Sequence, residues 1–199
     1  MKGILKISLM VLAFAILTIL FTSNLFADTY KIDPTHSTFG FAVKHIEVGI
    51  TRGQFTDYSG EVKFDSENLK EFHAWAIIKA KSISTRLEAR DNHLRGEHFF
   101  YTEKYPTIIF SSRKIVKKDG KYEIIGNLTM RGVTKQISIP VTISGPIRSP
   151  FGSKVIGISG ETVINRQDYG ISWNDVMPDG GFVVGNNVML TIDLEADRK

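Results

Sequence analysis

Beyond Asp28, apolar and polar side chains alternate with a period of two, the pattern of a β-strand that buries one face. In residues 36–45, for example, Phe39, Phe41 and Val43 alternate with small or polar residues. Comparable segments follow at about 54–65, 72–83, 107–116, 121–131, 137–144, 155–166 and 186–196. The pattern therefore predicts an all-β domain of eight strands.

One stretch departs from this alternation. Thr85 and Glu88 have the spacing of a capping box, in which a hydroxyl residue and a glutamate three positions later satisfy the free amides of a helix start. This motif predicts a helical insertion near residues 85–99, ending before the turn at Tyr105-Pro106. The other long connection is the glycine-rich segment 170–185.

Consecutive strands of about ten residues favour a closed antiparallel barrel over a two-sheet sandwich, because closure removes exposed strand edges. The interior of an eight-stranded barrel is just wide enough for packed side chains or for one slender ligand. The segment 72–83 places Ala74, Ala76 and Ala80 on one apolar face. If that face points inward, it leaves room for a ligand, unless bulky neighbours such as Phe39 and Phe41 fill the space. Both alternatives stay open at this point.

The first 27 residues have the pattern of a secretory signal peptide. Lys2 and Lys6 precede an apolar run from Ile7 to Phe21, and the small residue Ala27 ends the segment. A membrane anchor is the alternative, but about fifteen apolar residues is short of the roughly twenty that a span needs. We expect cleavage after Ala27, a single mature domain of residues 28–199 without a transmembrane segment, and a periplasmic or secreted location.

Composition excludes several classes of protein. The chain has no cysteine, which rules out a disulfide framework, a lipid-modified N-terminal cysteine and thiol chemistry. Without Lys2 and Lys6 the mature chain has 25 − 2 = 23 basic and 21 acidic residues, a net charge of +2. That charge is too small to predict nucleic acid or an anionic membrane as a partner.

An ordered series of motifs resembles the YceI-like family of exported bacterial proteins. The series comprises Ile32-Asp33-Pro34-Thr35-His36-Ser37, Arg52-Gly53-Gln54-Phe55, Arg90-Asp91-Asn92-His93-Leu94, Lys104-Tyr105-Pro106-Thr107, Gly126-Asn127-Leu128-Thr129-Met130-Arg131-Gly132 and Ile164-Asn165-Arg166. The resemblance implies a lipocalin-like barrel with a helical segment near one end. It also implies that the interior holds a long isoprenoid lipid, such as a polyprenyl chain or an isoprenoid quinone.

Two groups of residues are candidates for the tunnel wall and its mouth. The predicted wall residues are Phe39, Phe41, Val43, Ala74, Ala76 and Ile78. The predicted mouth residues are His36, Arg90, Asp91 and His93, where His36 and His93 are expected to be buried hydrogen-bonding residues that could also contact a polar head group. We expect no cofactor besides the bound lipid and no metal, since His93 and His98 are five residues apart and miss the i,i+4 spacing of paired ligands on a helix.

The alternatives are an enzyme or a packed structural protein. A hydrolase acting on a small amphiphile would use His36, Arg90, Asp91 and His93, but it would also need a nucleophile beside its base. Ser37 follows His36 in a predicted strand and so points to the opposite face. Arg90 and Asp91 are equally consistent with an ion pair that pins the helix over the barrel end. We therefore expect a non-enzymatic carrier or sequestering protein; a homodimer and a packed, stress-related barrel stay open.

Overall fold

A computed structural model describes residues 27–178 and 180–198. The predicted signal peptide lies outside these residues, apart from Ala27. The strands are β1 (Asp28–Ile32), β2 (Thr38–His45), β3 (Gly49–Phe55), β4 (Tyr58–Phe64), β5 (His73–Lys79), β6 (Ile83–Ser84), β7 (Thr107–Lys118), β8 (Lys121–Met130), β9 (Val133–Arg148), β10 (Lys154–Asn165) and β11 (Val184–Arg198). The helix α1 spans Glu88–Arg95. No helix in this part of the chain is long and apolar enough to cross a bilayer.

Eight of the strands form a closed antiparallel ring in the order β1-β4-β5-β7-β8-β9-β10-β11, and β1 returns to pair with β11. The closing ladder joins Tyr30 to Arg198 and Ile32 to Ala196. Further along β11, from Asp193 to Val184, the partner is β2 instead of β1. The predicted eight-stranded lipocalin-like barrel is therefore confirmed.

The first half of the chain divides three of the ring positions into two segments each. β1 and β2 pair with different parts of β11, β4 and β3 pair with β1 and β2, and β5 and β6 pair with β4 and β3. The alternation predicted a single strand at 54–65, and it did not predict β1 or most of β3. Each missed segment is short and rich in polar residues or glycine, so alternation alone carries little signal there. For β1 the partner β11 is also distant in sequence.

The helical insertion is present but shorter than predicted, and its capping box is wrong. Leu87 occupies the N-cap position and no side chain caps the helix. Arg86 has a left-handed backbone with φ of 62°, which turns the chain between Thr85 and the helix. Thr85 is therefore not adjacent to the first turn, and its hydroxyl binds Asp91 instead.

Two hydrophobic clusters fill the barrel at its two ends. One includes an aromatic group in which Phe64 packs edge-on against Phe72 and Tyr122, with ring centroids 6.5 and 5.8 Å apart. The other gathers residues near α1 and the segment after β10, among them Phe55, Phe99 and Tyr169. The first end of the barrel is therefore a packed core of large side chains.

Gly60 on β4 offers a test of how closely β4 and β5 approach each other. It lies opposite Ala76, and a Cβ atom there would be 2.4 Å from the carbonyl oxygen of Trp75. We expect Gly60→Ala to lower the free energy of unfolding by about 1–3 kcal/mol, because the backbone must shift to relieve the overlap. Urea denaturation measures the change. The exposed neighbour Ser59, mutated to alanine, should stay within about 0.5 kcal/mol, and equal effects at the two positions would contradict this packing.

Candidate functional site

A cavity lies inside the barrel and follows its long axis. On β10 its wall consists of alternate residues, Ile158, Gly160, Thr162 and Ile164, which corresponds to about 20 Å along the strand at ~3.3 Å per residue. Its volume is about 190 Å³, whereas one water molecule needs roughly 10–15 Å³ measured in the same way. The barrel is thus not packed shut.

Apolar side chains from every strand of the closed ring make up almost all of the cavity wall. Several of them, such as Phe39, Phe41 and Leu190, point inward yet are only half-buried. Their uncovered surface lacks the contacts that a packed core provides. The other wall residues include Ile32, Val62, Ile108, Phe110, Ile124, Leu128, Met130, Ile137, Ile139, Val188 and Ile192.

The face of small residues on β5 points inward and helps to create this space. Ala74 and Ala76 line the cavity, and Gly160 lies on its β10 side. All the predicted wall residues lie on the cavity surface: Phe39, Phe41, Val43, Ala74, Ala76 and Ile78. That they contact a ligand stays a prediction. The wall residues of β10 and β11 were not predicted, although the apolar alternation of both strands is visible in the sequence.

The cavity has a closed inner end and a covered outer end. The aromatic group of Tyr30, Phe64, Phe72 and Tyr122 fills the inner end and contributes nothing to the wall. At the outer end the wall includes Leu94, Phe99, Phe100, Ile171 and Val184, which come from α1, the turn after it, the segment between β10 and β11, and the start of β11.

An aromatic cluster joins the two covering segments at the outer end. The ring of His93 on α1 lies 5.0 Å from the rings of both Phe99 and Trp173. Phe99 and Trp173 are 5.2 Å apart. Trp173 belongs to the segment between β10 and β11, so this cluster packs that segment against the helix. Sequence alone gave no indication that these three residues meet.

Arg166 holds the segment after β10 in place. Its side chain is only 4% exposed, and burial lowers the pKa of its guanidinium group. The acceptors are the carbonyls of Ile171, Trp173, Val184 and Gly185 and the side-chain oxygen of Asn186, at 2.8 to 3.3 Å. Guanidinium has five N–H groups, and these bonds engage all three of its nitrogens. Arg166 therefore acts as a clamp on both ends of the segment.

Arg90 and Asp91 also serve the architecture of this end, and both bind Thr85. The buried carboxylate of Asp91 accepts bonds from the backbone amide of Thr85 at 2.8 Å and from its hydroxyl at 2.5 Å. Arg90 donates to the hydroxyl at 2.7 Å and to the carbonyl oxygen at 3.0 Å. Neither residue lines the cavity. The two side chains pin α1 through their shared contacts with Thr85. The sequence had suggested an ion pair between Arg90 and Asp91 in this role.

His36 is exposed, so the prediction that it is a buried residue is wrong. It follows the turn after β1, where its Nδ1 lies 2.7 Å from a carboxylate oxygen of Asp33. That contact is the main reason why the pKa of His36 is raised and that of Asp33 is lowered to about 2. A turn between two segments that both pair with β11 faces solvent, which explains the exposure.

His93 is also exposed, which contradicts the same prediction, because its ring packs edge-on against the outside of the aromatic cluster. Asp91 is buried although it is only two residues away, since positions two apart lie on different faces of a helix. His36 lies beside Glu195, near the end of β11 that is remote from Val184 and the covering segments. The four residues of the hydrolase alternative thus do not converge on one cleft.

One group of side chains has the composition of a metal site. Within the described residues, ligand atoms of Asp33, His36 and Glu195 lie within 4.8 Å of one another. This group is outside the cavity wall. The expectation that the protein binds no metal stays a prediction.

Comparison with known proteins agrees with this geometry. Residues 30–196 match the family model of the YceI-like domain. The chain belongs to the YceI-like family. A UPF0312 protein of Staphylococcus aureus strain N315 is 32% identical over 167 residues, which cover 83% of this chain and 95% of the relative.

Solved structures of YceI-like proteins share the barrel. The Campylobacter jejuni YceI protein is 31% identical, with a TM-score of 0.65 over 78% of this chain and 90% of that one. A polyisoprenoid binding domain from Saccharophagus degradans, implicated in plant cell wall breakdown, is 16% identical, with a TM-score of 0.66 over 85% and 98%. At that identity the second likeness concerns the fold alone.

Replacing Asp91 tests the architectural role of the Thr85 contacts in this YceI-like protein. We expect Asp91→Ala to lower the free energy of unfolding by roughly 1.5–3 kcal/mol, because a buried amide and hydroxyl lose a charged acceptor. Amide hydrogen exchange should become faster in α1. Glu88→Ala removes only a surface ion pair with Arg95 and should cost less than about 1 kcal/mol. If Asp91→Ala unfolds no more easily than this control, the assigned role is incorrect.

A second prediction concerns the pair formed by His36 and Asp33. In an NMR titration, Asp33→Asn should return the pKa of His36 towards its ordinary value, because the carboxylate is the main cause of the increase. The sign follows from linkage: a raised histidine pKa stabilises the fold below about pH 6.5, and that contribution is lost as pH rises through the folded-state pKa. Glu195→Gln should have a smaller effect in the same direction, since Glu195 contributes less than Asp33 to the increase in the pKa of His36. A larger effect from Glu195 would contradict this assignment.

Proposed function

We propose that the protein is an exported, non-enzymatic carrier or sequestering protein for a long apolar isoprenoid-type lipid held in the barrel. The observation that carries the proposal is the elongated apolar cavity, about 190 Å³ in volume and closed at one end by packed aromatic residues. A cavity of this kind in a closed barrel is the usual form of a site for a slender apolar ligand.

The energetics of such a ligand are favourable. Burying on the order of 500 Å² of hydrocarbon contributes about 12 kcal/mol at ~25 cal/mol per Å². Loss of translational and rotational freedom costs roughly 4–15 kcal/mol. Useful affinity can therefore arise from burial alone, which agrees with a wall that contains few polar groups and offers none of the five N–H groups of Arg166 to a ligand.

An isoprenoid is the preferred class of lipid for two reasons. A related fold, the domain from Saccharophagus degradans, is described as polyisoprenoid binding. In addition, the wall combines small residues such as Ala74 and Ala76 with bulky ones such as Phe39 and Phe110, which gives an uneven channel that suits a branched chain. A polyprenyl chain and the tail of an isoprenoid quinone fit this description equally. The head group would lie beneath or beyond the covering segments.

The exported location rests on the sequence. A positive N-terminus, an apolar run of about fifteen residues and a small residue at Ala27 support a secretory signal and hence a periplasmic or secreted protein. The absence of cysteine is compatible with that compartment but does not require it. A role outside catalysis is supported by the separation of His36 from Arg90, Asp91 and His93.

Native mass spectrometry tests the proposal directly. Protein purified from its own host, or incubated with a lipid extract, should carry an added mass that corresponds to one isoprenoid lipid. Ala76→Phe should abolish this added mass, because the new ring would project into the cavity. Ile77→Phe is the matched control, since Ile77 is the next residue on β5 and is absent from the cavity wall.

A second filling variant covers the case in which the first one does not fold. If Ala76→Phe does not fold, Val188→Phe on β11 places a ring in the same space from a wall position that is only half-buried. An empty barrel under both treatments, or a ligand that persists in both filled variants, would refute the proposal.

A further inference from the structure

Two neighbouring loops at the outer end of the cavity expose large apolar side chains. One is the turn between β2 and β3 together with the start of β3, and the other lies between β10 and β11. The exposed fractions are 41% for Ile46, 85% for Val48, 55% for Ile50, 73% for Val176 and 49% for Phe182. We refer to these five residues as the tip patch.

Backbone contacts make the tip patch a single surface. The amide of Ile46 donates to the carbonyl oxygen of Val183 at 2.8 Å. Val176 and Phe182 form a bridge across their own loop, and His45 pairs with Val184. The apolar tips of the two loops are therefore held side by side.

The turn between β2 and β3 has an unfavourable backbone for its sequence. Ile46 has φ of 43° and Glu47 has φ of 61°. A left-handed conformation is rare for a β-branched residue such as isoleucine, and residues held in this way are concentrated at functional sites. Glycine or asparagine would suit position 46 better for folding alone, so the apolar side chain there calls for another explanation.

The patch adjoins the outer end of the cavity. Val43, which lies just before the first loop, and Val184, which follows the second, both line the cavity wall. Arg166 anchors the base of the second loop through the carbonyls of Ile171 and Val184. A lipid that leaves the cavity at this end would emerge beside the exposed apolar tips.

We propose that the tip patch docks onto a lipid bilayer, with its side chains inserted at the level of the head groups. This inference rests on the proposed function, since docking would let a water-insoluble ligand pass between membrane and cavity without crossing water. Projecting apolar side chains of this kind suit the interfacial zone of a bilayer.

Charge indicates which bilayers should bind. The described residues of the two loops and their flanks, 44–52, 173–178 and 180–184, contain the cations Lys44 and Arg52 and the acids Glu47 and Asp175. This surface has no cationic excess that would require anionic lipids. Docking should therefore depend on apolar burial, occur on neutral phosphatidylcholine, and change little with salt.

Vesicle flotation tests the proposal with the chain from Asp28 to Lys199. All strands and both core clusters lie within residues 28–198, so this part contains the complete fold. It also lacks the apolar run at residues 7–21, which would bind vesicles by itself. We expect the protein to float with phosphatidylcholine vesicles at low and high salt.

Single substitutions locate the docking surface. Val48→Asp and Phe182→Asp should each reduce vesicle binding on the order of tenfold, since losing roughly 55 Å² of apolar contact at about 25 cal/mol per Å² corresponds to that factor. Ile147→Asp and Phe151→Asp are matched controls. These residues are 66% and 94% exposed and lie near the hairpin between β9 and β10, at the opposite end of β10. The two control variants should bind vesicles as the unmodified protein does.

Three outcomes would overturn the proposal: no flotation with phosphatidylcholine, equal losses in the tip and control variants, or sedimentation showing a dimer that the tip variants dissociate. These vesicles contain no isoprenoid, so docking is measured independently of the ligand. Flotation together with an empty cavity in lipid extract would refute the proposed function alone. A filled cavity without flotation would refute docking alone.

Discussion

β1 pairs with β11 over a few residues, from Tyr30–Arg198 to Ile32–Ala196, and this short ladder closes the sheet into a barrel. The remaining features depend on it, because closure satisfies the edges of long strands and creates an interior that is separated from water. The joint is among the most buried parts of the molecule: Tyr30 is 1% exposed and Ala196 is 0% exposed. An open sheet of the same strands would have neither an inside nor a cavity.

The size of the inward side chains then divides that interior into two parts. Large aromatic residues such as Phe64, Phe72 and Tyr122 meet at one end and leave no space. In the middle, Ala74 and Ala76 on β5 and Gly160 on β10 occupy positions on the cavity wall, so the opposite walls do not meet. The cavity is therefore a consequence of side-chain volume within a barrel of constant strand number.

Polar residues at the outer end maintain the architecture of the site. Thr85, Arg90 and Asp91 fix the connection into α1, while Arg166 fixes the segment between β10 and β11. A buried guanidinium group with only neutral acceptors is expensive to desolvate. Here it joins two carbonyl groups of the segment after β10 to two at the start of β11. The mouth residues suggested by sequence, His36, Arg90, Asp91 and His93, are thus structural or exposed, and the cavity wall is almost wholly apolar.

Sequence alone determined the all-β class and seven of the eight strands of the ring, because alternation with period two is a local property of each strand. The inward direction of the small-residue face of β5 was decided only by the tertiary structure. Sequence also located the helix, and the resemblance to the YceI-like family agreed with the family match. Tertiary structure decided the rest: the pairing of β1 with β11, the division of β3 from β4, and the contact of Thr85 with Asp91 that replaced a capping box. It also decided the exposure of His36 and His93, the burial of Arg166 and the existence of a cavity. These features depend on strand register and on contacts between residues distant in the chain, for which local periodicity contains no information.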